Sequence, residues 1–111
     1  FKQSLLKINT NPNKSLITVE NIGTSPIKNI IFRYAIPTRY EVNLGSLSAI
    51  FNNNDKWNLI AEKIDSNIIF KISFLPQSNN IPERKLNIFL EHKKFNIELS
   101  NVDSNLFLND I

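Results

Sequence analysis

The side chains that could carry acid–base or nucleophilic chemistry are few and scattered in this 111-residue sequence. It contains a single histidine, His92, and no cysteine. A lone histidine cannot build a metal cluster, and a catalytic triad needs it between a carboxylate and an activated serine. The carboxylates occur singly, and two glycines, Gly23 and Gly45, are too few for a phosphate-binding loop. We therefore expect no enzyme activity, no metal site and no cofactor.

Three residues whose side chains could react or bind have simple structural interpretations. We expect His92 to lie at the surface or in a turn, and Trp57 to pack in the core or on a sheet. Asn13 begins the glycosylation sequon Asn-Lys-Ser. In a chain this rich in asparagine, one such tripeptide is expected by chance.

Composition limits the classes of partner. Thirteen basic and ten acidic residues give a net charge of +3, and they are too evenly mixed for a nucleic-acid interface. The apolar runs are too short to insert directly into a membrane. The length predicts one domain over residues 1–111, monomeric when isolated. Because the sequence begins with Phe1 and shows no signal region, we expect a fragment of a longer protein.

Alternation of apolar and polar residues indicates strands rather than helices. The segments "IIFKISF" and "KLNIFLE" place every second side chain on one apolar face. Short strands separated by Asn-, Pro- and Ser-rich turns predict an all-β, immunoglobulin-like β-sandwich of about seven or eight strands. The predicted strands are 15–22, 27–35, 39–44, 68–74, 85–91 and 95–100. The predicted core is Ile30, Phe32, Phe70, Ile72, Phe74, Leu86, Ile88 and Leu90.

Residues 26–44, "PIKNIIFRYAIPTRYEVNL", combine strand-forming residues with features that break a buried strand. Pro37 cannot donate to a sheet ladder, which places it at an edge, a bulge or a strand end. It also biases Ile36 toward extended geometry. Ala35 is small and would leave a hollow beside the proline. An exposed edge with such a hollow could capture an extended peptide. On these residues alone, an ordinary strand ended by proline, with Ala35 in the core, is the favoured interpretation.

The same stretch resembles the gamma-adaptin ear, the appendage of the large subunit of the trans-Golgi clathrin adaptor and of the Golgi-localised gamma-ear-containing adaptors. Similarity continues in "FKISFLPQSNNIPERKLNIFLEH" and "NVDSNLF" and is weakest over residues 45–67. The positions of the first stretch that match the family are Pro26, Ile27, Lys28, Asn29, Ile30, Ile31, Phe32, Ala35, Ile36, Pro37, Val42 and Leu44.

The resemblance implies a module of vesicle trafficking at the trans-Golgi network and endosomes. Such a domain would be cytoplasmic, peripheral to those membranes and to clathrin-coated vesicles. Its partners would be accessory proteins with short Gly-centred hydrophobic motifs in an acidic context. Other adaptor subunits would associate through the full-length chain.

The resemblance also implies a peptide groove between segment 33–44 and the outward face of 84–89. Ala35, Pro37 and Leu44 would form its apolar floor, with a cationic rim beside them. This sequence departs from the family at two positions that bear on the preference for acidic peptides. Thr38 and Asn87 stand where the family usually has Lys and Arg. The implied peptide-binding residues are Arg33, Ala35, Pro37, Thr38, Arg39, Leu44, Lys85 and Asn87.

Two other classes remain open on the sequence. "VENIGTSPIKN" is also typical of structural immunoglobulin-like repeats in bacterial surface or secreted proteins. "PTRYEV" is compatible with a cytosolic peptide-binding tether of the major-sperm-protein class. A surface repeat predicts tandem copies and a signal peptide in the gene, whereas an ear predicts a helical-repeat trunk and a disordered hinge upstream.

Overall fold

The computed structural model describes residues 5–51 and 58–95. Within this part of the chain, seven strands account for most of the structure. The strands are β1 Leu6–Asn11, β2 Leu16–Asn21, β3 Ile27–Ala35, β4 Tyr40–Phe51, β5 Leu59–Ile64, β6 Asn67–Leu75 and β7 Lys85–Lys94. A short 3-10 helix, Pro12–Lys14, joins β1 to β2, and a four-residue helix, α1 Ile81–Arg84, precedes β7.

The strands form two antiparallel sheets. In the described residues one sheet has the order β1-β2-β7-β4 and the other has the order β3-β6-β5. Two hairpins, β1–β2 and β5–β6, stay within a sheet, and the other connections pass from one sheet to the other. One continuous set of buried apolar side chains draws on both sheets. The predicted all-β sandwich is therefore confirmed.

Most of the predicted core lies where the alternation placed it. Phe70 and Ile72 of β6 and the inward side chains of β7 are almost completely buried. Phe32 is partly buried, and its ring stacks on Phe70 with centroids 5.0 Å apart. The confirmed buried positions are Ile30, Phe70, Ile72, Leu86, Ile88 and Leu90.

The prediction for Phe74 is wrong. Its side chain is 37% exposed, whereas the neighbouring Leu75 is completely buried. The alternation changes phase where β6 passes Asn29 of β3, whose backbone is left-handed with φ of 53°. The ladder skips the Asn29–Ser73 position and resumes in the same register at Lys28–Phe74. The strand therefore turns its other face to the core beyond this point.

β4 extends much further than the predicted strand 39–44. Its register against β7 shifts between Asn43 and Ser48, which is a bulge on an edge strand. Inside this bulge Ser46 holds the ladder together, because its hydroxyl donates to the Asn43 carbonyl at 2.6 Å and accepts from the Glu91 N–H at 2.8 Å. β1 and β5 were not predicted. The predicted strand 95–100 and Trp57 lie outside the described residues, apart from Phe95.

Polar contacts also tie the sheets together. Asn21 of β2 is fully buried, and its amide donates to the Leu75 carbonyl of the other sheet at 3.3 Å. His92 of β7 is half-buried and lies 2.7 Å from the hydroxyl of Tyr34 of β3, measured from Nε2. His92 is thus a partly buried strand residue and not a turn residue, because Tyr34 of the other sheet lies opposite it.

Candidate functional site

β3 forms an edge of its sheet. Among the described residues it pairs with β6 and has no strand on its other side. Strand edges present backbone N–H and C=O groups that can accept another strand. In the part of the chain that the structure describes, β3 thus lies at the edge position expected for segment 26–44.

The direction of the free backbone groups follows from one hydrogen bond. Ile36 donates its N–H to the Ser66 carbonyl at 2.9 Å, and these residues continue the register of the β3–β6 ladder. In an antiparallel pair, residues bonded to the partner alternate with residues whose N–H and C=O point away. The N–H and C=O groups of Ile31, Arg33 and Ala35 therefore point to the open side of the sheet.

Two backbone features limit this edge. At one end Asn29 has left-handed geometry, with φ of 53°, which interrupts the extended chain. At the other end Pro37 has no N–H to donate. Between them the edge offers about seven residues of extended backbone, a span of roughly 23 Å. We call residues 30–36 the β3 edge.

A groove continues from the end of the β3 edge. Its volume is about 570 Å³. The 37–40 turn borders this groove, with the Tyr40 N–H donating to the Pro37 carbonyl at 3.1 Å. Phe95, which follows β7, borders it too, and its N–H donates to the Arg39 carbonyl at 2.7 Å. We call this the end groove, and it is lined by Ile36, Pro37, Thr38, Arg39, Tyr40, Glu41, Val42, Lys63, Asp65, Ser66 and Phe95.

Charges around the end groove are mixed. Arg39 and Lys63 contribute two cations, and Glu41 and Asp65 contribute two anions. The described residues therefore do not form a uniformly cationic rim there. Arg33 lies on the outer face of the β3 edge, opposite Ile69. No carboxylate of the described residues lies within salt-bridge distance of it.

The outer face beside the β3 edge is partly apolar. Ile31 is 65% exposed and stands two residues from Arg33 on the same face. Across the ladder it faces Lys71 of β6, and beyond that Ile60 of β5, which is 60% exposed. A strand added at the edge would thus meet both an isoleucine and an arginine.

Comparison with protein-family models, with curated proteins and with solved structures finds no match to this chain. The resemblance to the gamma-adaptin ear therefore rests on the sequence segments that carry it. Their positions in the fold can still be compared with the site they imply.

The structure brings five of the eight implied site residues together. Arg33 and Ala35 lie on the β3 edge, and Pro37, Thr38 and Arg39 line the adjoining end groove. Ala35 is exposed at the last position of β3, so it is neither a core residue nor part of the groove floor. The favoured interpretation of an alanine buried in the core is wrong.

The other three residues lie elsewhere. Leu44 sits in the β4 bulge and packs partly buried against the core. Lys85 and Asn87 belong to β7, which lies between β2 and β4 in the opposite sheet. Seven residues of strand separate Asn87 from Lys94 beside the end groove, a distance of about 24 Å. Lys85 and Asn87 therefore do not lie beside the end groove.

Sequence reasoning missed the residues that the β5–β6 turn and β7 contribute. That turn lies at Asp65–Ser66. β5 was not recognised, so the end of the sandwich to which this turn belongs could not be assigned. Phe95, half exposed at the end of β7, was predicted as the first residue of a separate strand.

Among residues 5–51 and 58–95, no group of three or more potential metal-ligating side chains is found. That part of the chain also contains no helix long and apolar enough to cross a membrane. Near the end groove, the Tyr34 hydroxyl and His92 are within hydrogen-bond distance, and the ring of Tyr40 lies 6.0 Å from the His92 ring.

Proposed function

We propose that this domain binds short extended peptides of other proteins by adding them as a strand to the β3 edge. The observation that carries the proposal is the outward direction of the backbone groups of Ile31, Arg33 and Ala35, at an edge that ends beside a groove. Peptides added to a sheet edge gain affinity from main-chain hydrogen bonds and specificity from pockets for alternate side chains.

The end groove supplies the pocket. It begins at Ile36 and Pro37, directly after the last free N–H of the edge. Its volume of about 570 Å³ falls in the range of roughly 300–1,000 Å³ that is common for ligand pockets. One bulky apolar side chain of a peptide therefore fits beside Phe95 and Val42, while the peptide backbone pairs with β3.

The resemblance to the gamma-adaptin ear extends the proposal to a cellular role. Seven of the matched positions lie on the β3 edge or line the end groove: Ile30, Ile31, Phe32, Ala35, Ile36, Pro37 and Val42. On this basis we propose an appendage of a clathrin adaptor that recruits accessory proteins at the trans-Golgi network and endosomes. The domain would then act in the cytoplasm, at the surface of those membranes and of coated vesicles.

Single contacts of this kind are weak. Three outward-pointing residues offer about six backbone hydrogen bonds at most, each with a net value of roughly 1 kcal/mol. The buried area is at the lower end of that of specific interfaces. Recruitment would therefore depend on several motifs acting together.

Substitution of Ala35 tests the main-chain pairing. Proline is tolerated at an edge where the N–H faces solvent, so Ala35→Pro removes one donor from the edge while leaving the β6 ladder in place. The probe is a fluorescent Phe-Gly-Pro-Phe peptide with acidic flanks. Ala35→Ser is the matched control, because it changes the side chain and keeps the N–H.

We expect Ala35→Pro to weaken binding about tenfold and Ala35→Ser to leave it within about twofold, since one lost backbone bond is worth about 1–1.5 kcal/mol. Equal binding by wild type and Ala35→Pro would show that the peptide does not pair with the β3 edge. No binding of the wild type at millimolar peptide would contradict the proposed function and favour a structural repeat.

A further inference from the structure

We propose that two copies of this chain form a weak dimer, in which the outward face of the β3-β6-β5 sheet packs against itself about a two-fold axis. The contact goes beyond the proposed function and does not depend on it. It follows from the apolar side chains exposed on this face, from the order of the charges across it and from the register of its strands.

Three of the four most exposed isoleucines in the described residues lie on this face. Ile31 is 65% exposed, Ile60 60% and Ile64 50%. Ile69 of the middle strand stands diagonal to all three in the strand register and connects them. Exposed apolar surface of this kind marks interaction sites in soluble proteins. We call this surface the isoleucine face, and its outward side chains are Ile31, Arg33, Ala35, Ile60, Glu62, Ile64, Asn67, Ile69 and Lys71.

The charges on the isoleucine face have a fixed order. Arg33 of β3 and Glu62 of β5 stand at opposite ends of one row, because both pair with Ile69 of β6. In the described residues neither side chain forms a salt bridge within one copy. Across the three strands the rows are Ala35–Asn67–Ile64, Arg33–Ile69–Glu62 and Ile31–Lys71–Ile60.

A two-fold axis parallel to β6 pairs these charges between copies. Two identical faces meet about an axis that lies in the plane between them. When this axis runs along β6, it exchanges β3 with β5 and keeps each row at its own level. Arg33 of each copy then lies over Glu62 of the other, and Ile31 lies over Ile60. The strands of the two sheets stay aligned, as in a common type of sheet packing.

The charge order excludes the other in-plane axis. An axis across the strands would place β3 over β3 and β5 over β5, so that Arg33 could not meet Glu62 of the other copy. With the axis along β6, the one like-charge contact is between the two copies of Lys71, which meet at the axis and weaken the dimer.

The isoleucine face is small. Three strands about 4.8 Å apart and five residues long bury roughly 500 Å² on each copy. The total of about 1,000 Å² is at the lower end of specific interfaces. We therefore expect a dissociation constant on the order of 100 μM.

Both β3 edges stay open in this dimer, because the free backbone groups of an edge point within the plane of the sheet. A consequence that rests on the proposed function follows. The dimer would offer two peptide sites, and an accessory protein with two motifs would bind it with higher avidity than one copy.

Sedimentation equilibrium of the full chain between about 10 μM and about 1 mM measures the dimer. Glu62→Arg places an arginine over Arg33 and should weaken association about tenfold or more. The double variant Arg33→Glu with Glu62→Arg restores both opposite pairs and should return to within about threefold of wild type. Glu91→Arg is the matched control, because it makes the same change of charge at an exposed position of β7 in the other sheet, and its effect should stay within about twofold.

Two further variants test the rest of the interface. Ile60→Ser should weaken association about tenfold, because it removes apolar surface on both copies, whereas Ile22→Ser, at an exposed isoleucine outside this face, should match wild type. Lys71→Ser should strengthen association several-fold, since it removes the like charges at the axis. A wild type that stays monomeric at about 1 mM would overturn the inference, and so would a dimer that Glu62→Arg weakens no more than Glu91→Arg does. No peptide enters these measurements, so a dimer that behaves as expected but binds no peptide would contradict the proposed function alone.

Discussion

Tyr34 of β3 and His92 of β7 join the two sheets through a contact of 2.7 Å between the phenol oxygen and Nε2. The other ring nitrogen, Nδ1, lies 2.7 Å from the Leu90 carbonyl. A carbonyl only accepts, so in the neutral ring Nδ1 carries the proton and Nε2 accepts from the tyrosine hydroxyl. The two rings meet edge to face, with centroids 5.6 Å apart. This pair fixes the spacing of the sheets next to the end groove.

Removal of the Tyr34 hydroxyl should lower the free energy of unfolding and alter its dependence on alkaline pH. Burial, and then the neighbouring Tyr40, raises the pKa of Tyr34 above its ordinary value of 10.0. Above that value the unfolded chain loses the proton first, so stability falls as pH rises from about 10 toward the folded pKa and is unaffected by this group below it.

Urea unfolding at about pH 8 and about pH 11 checks this dependence. Tyr34→Phe should cost about 1–2 kcal/mol at the lower pH, because His92 loses a partner. It should also lose less stability than wild type between the two pH values. An equal loss in both proteins would contradict the assigned role of the Tyr34 proton.

One pair of variants distinguishes the buried positions of β6 from the exposed ones. Phe70 is completely buried and stacks on Phe32, whereas Phe74 is 37% exposed. Phe70→Ala should therefore cost about 3–5 kcal/mol of unfolding free energy. Phe74→Ala should cost roughly half of that or less, because much of its surface already meets water. Similar shifts of both denaturant midpoints would mean that β6 does not change face at Asn29.

Asn29 offers a direct test of the backbone at the start of the β3 edge. Its φ of 53° lies in the left-handed region, which asparagine and glycine adopt at low cost and β-branched residues do not. Asn29→Val should destabilise by about 1–2 kcal/mol, and Asn29→Gly should stay within about 1 kcal/mol of wild type. Thermal unfolding of the two variants gives the comparison. Equal stability of the valine and glycine variants would contradict the left-handed geometry.

The position of the basic residues leads to different predictions from those that the sequence suggested. Lys85 is the first residue of β7 and lies about 30 Å of strand away from the end groove. Lys85→Glu should therefore leave the affinity for the acidic-flanked Phe-Gly-Pro-Phe peptide unchanged within about twofold, whereas Arg39→Glu should weaken it several-fold, more at low salt than at high. Fluorescence titration at two salt concentrations measures both. A larger effect of Lys85→Glu would place the peptide on the β7 face.

Local alternation was sufficient to predict much of the fold. β3, β6 and β7 repeat apolar side chains at every second residue, and the boundaries of β3 were predicted as observed. β1 could not be found this way, because all but one of its residues are exposed. Phe74 was misplaced because the phase change depends on the φ angle of Asn29, which no pattern of polarity reports.

The site was only partly predictable for a related reason. Pro37 marked the end of an edge strand from its missing N–H alone. The end groove, however, is assembled by Arg39, Asp65 and Phe95, which come from three distant parts of the chain. These three residues come together only because the strands and turns that carry them reach the same end of the sandwich. The resemblance in sequence implied that Lys85 belongs to the site, whereas the strand order places Lys85 away from the end groove.

Strand addition at β3 is tested most directly by following backbone amide signals during titration of the ¹⁵N-labelled full chain with the acidic-flanked Phe-Gly-Pro-Phe peptide. The account predicts that the amide signals of Ile31, Arg33 and Ala35 shift during the titration, together with those of end-groove residues. Amides of β5, the other edge of the same sheet, should not change. Shifts confined to β5 or to the outward face of β7, or none at millimolar peptide, would contradict the proposal that the β3 edge binds peptides.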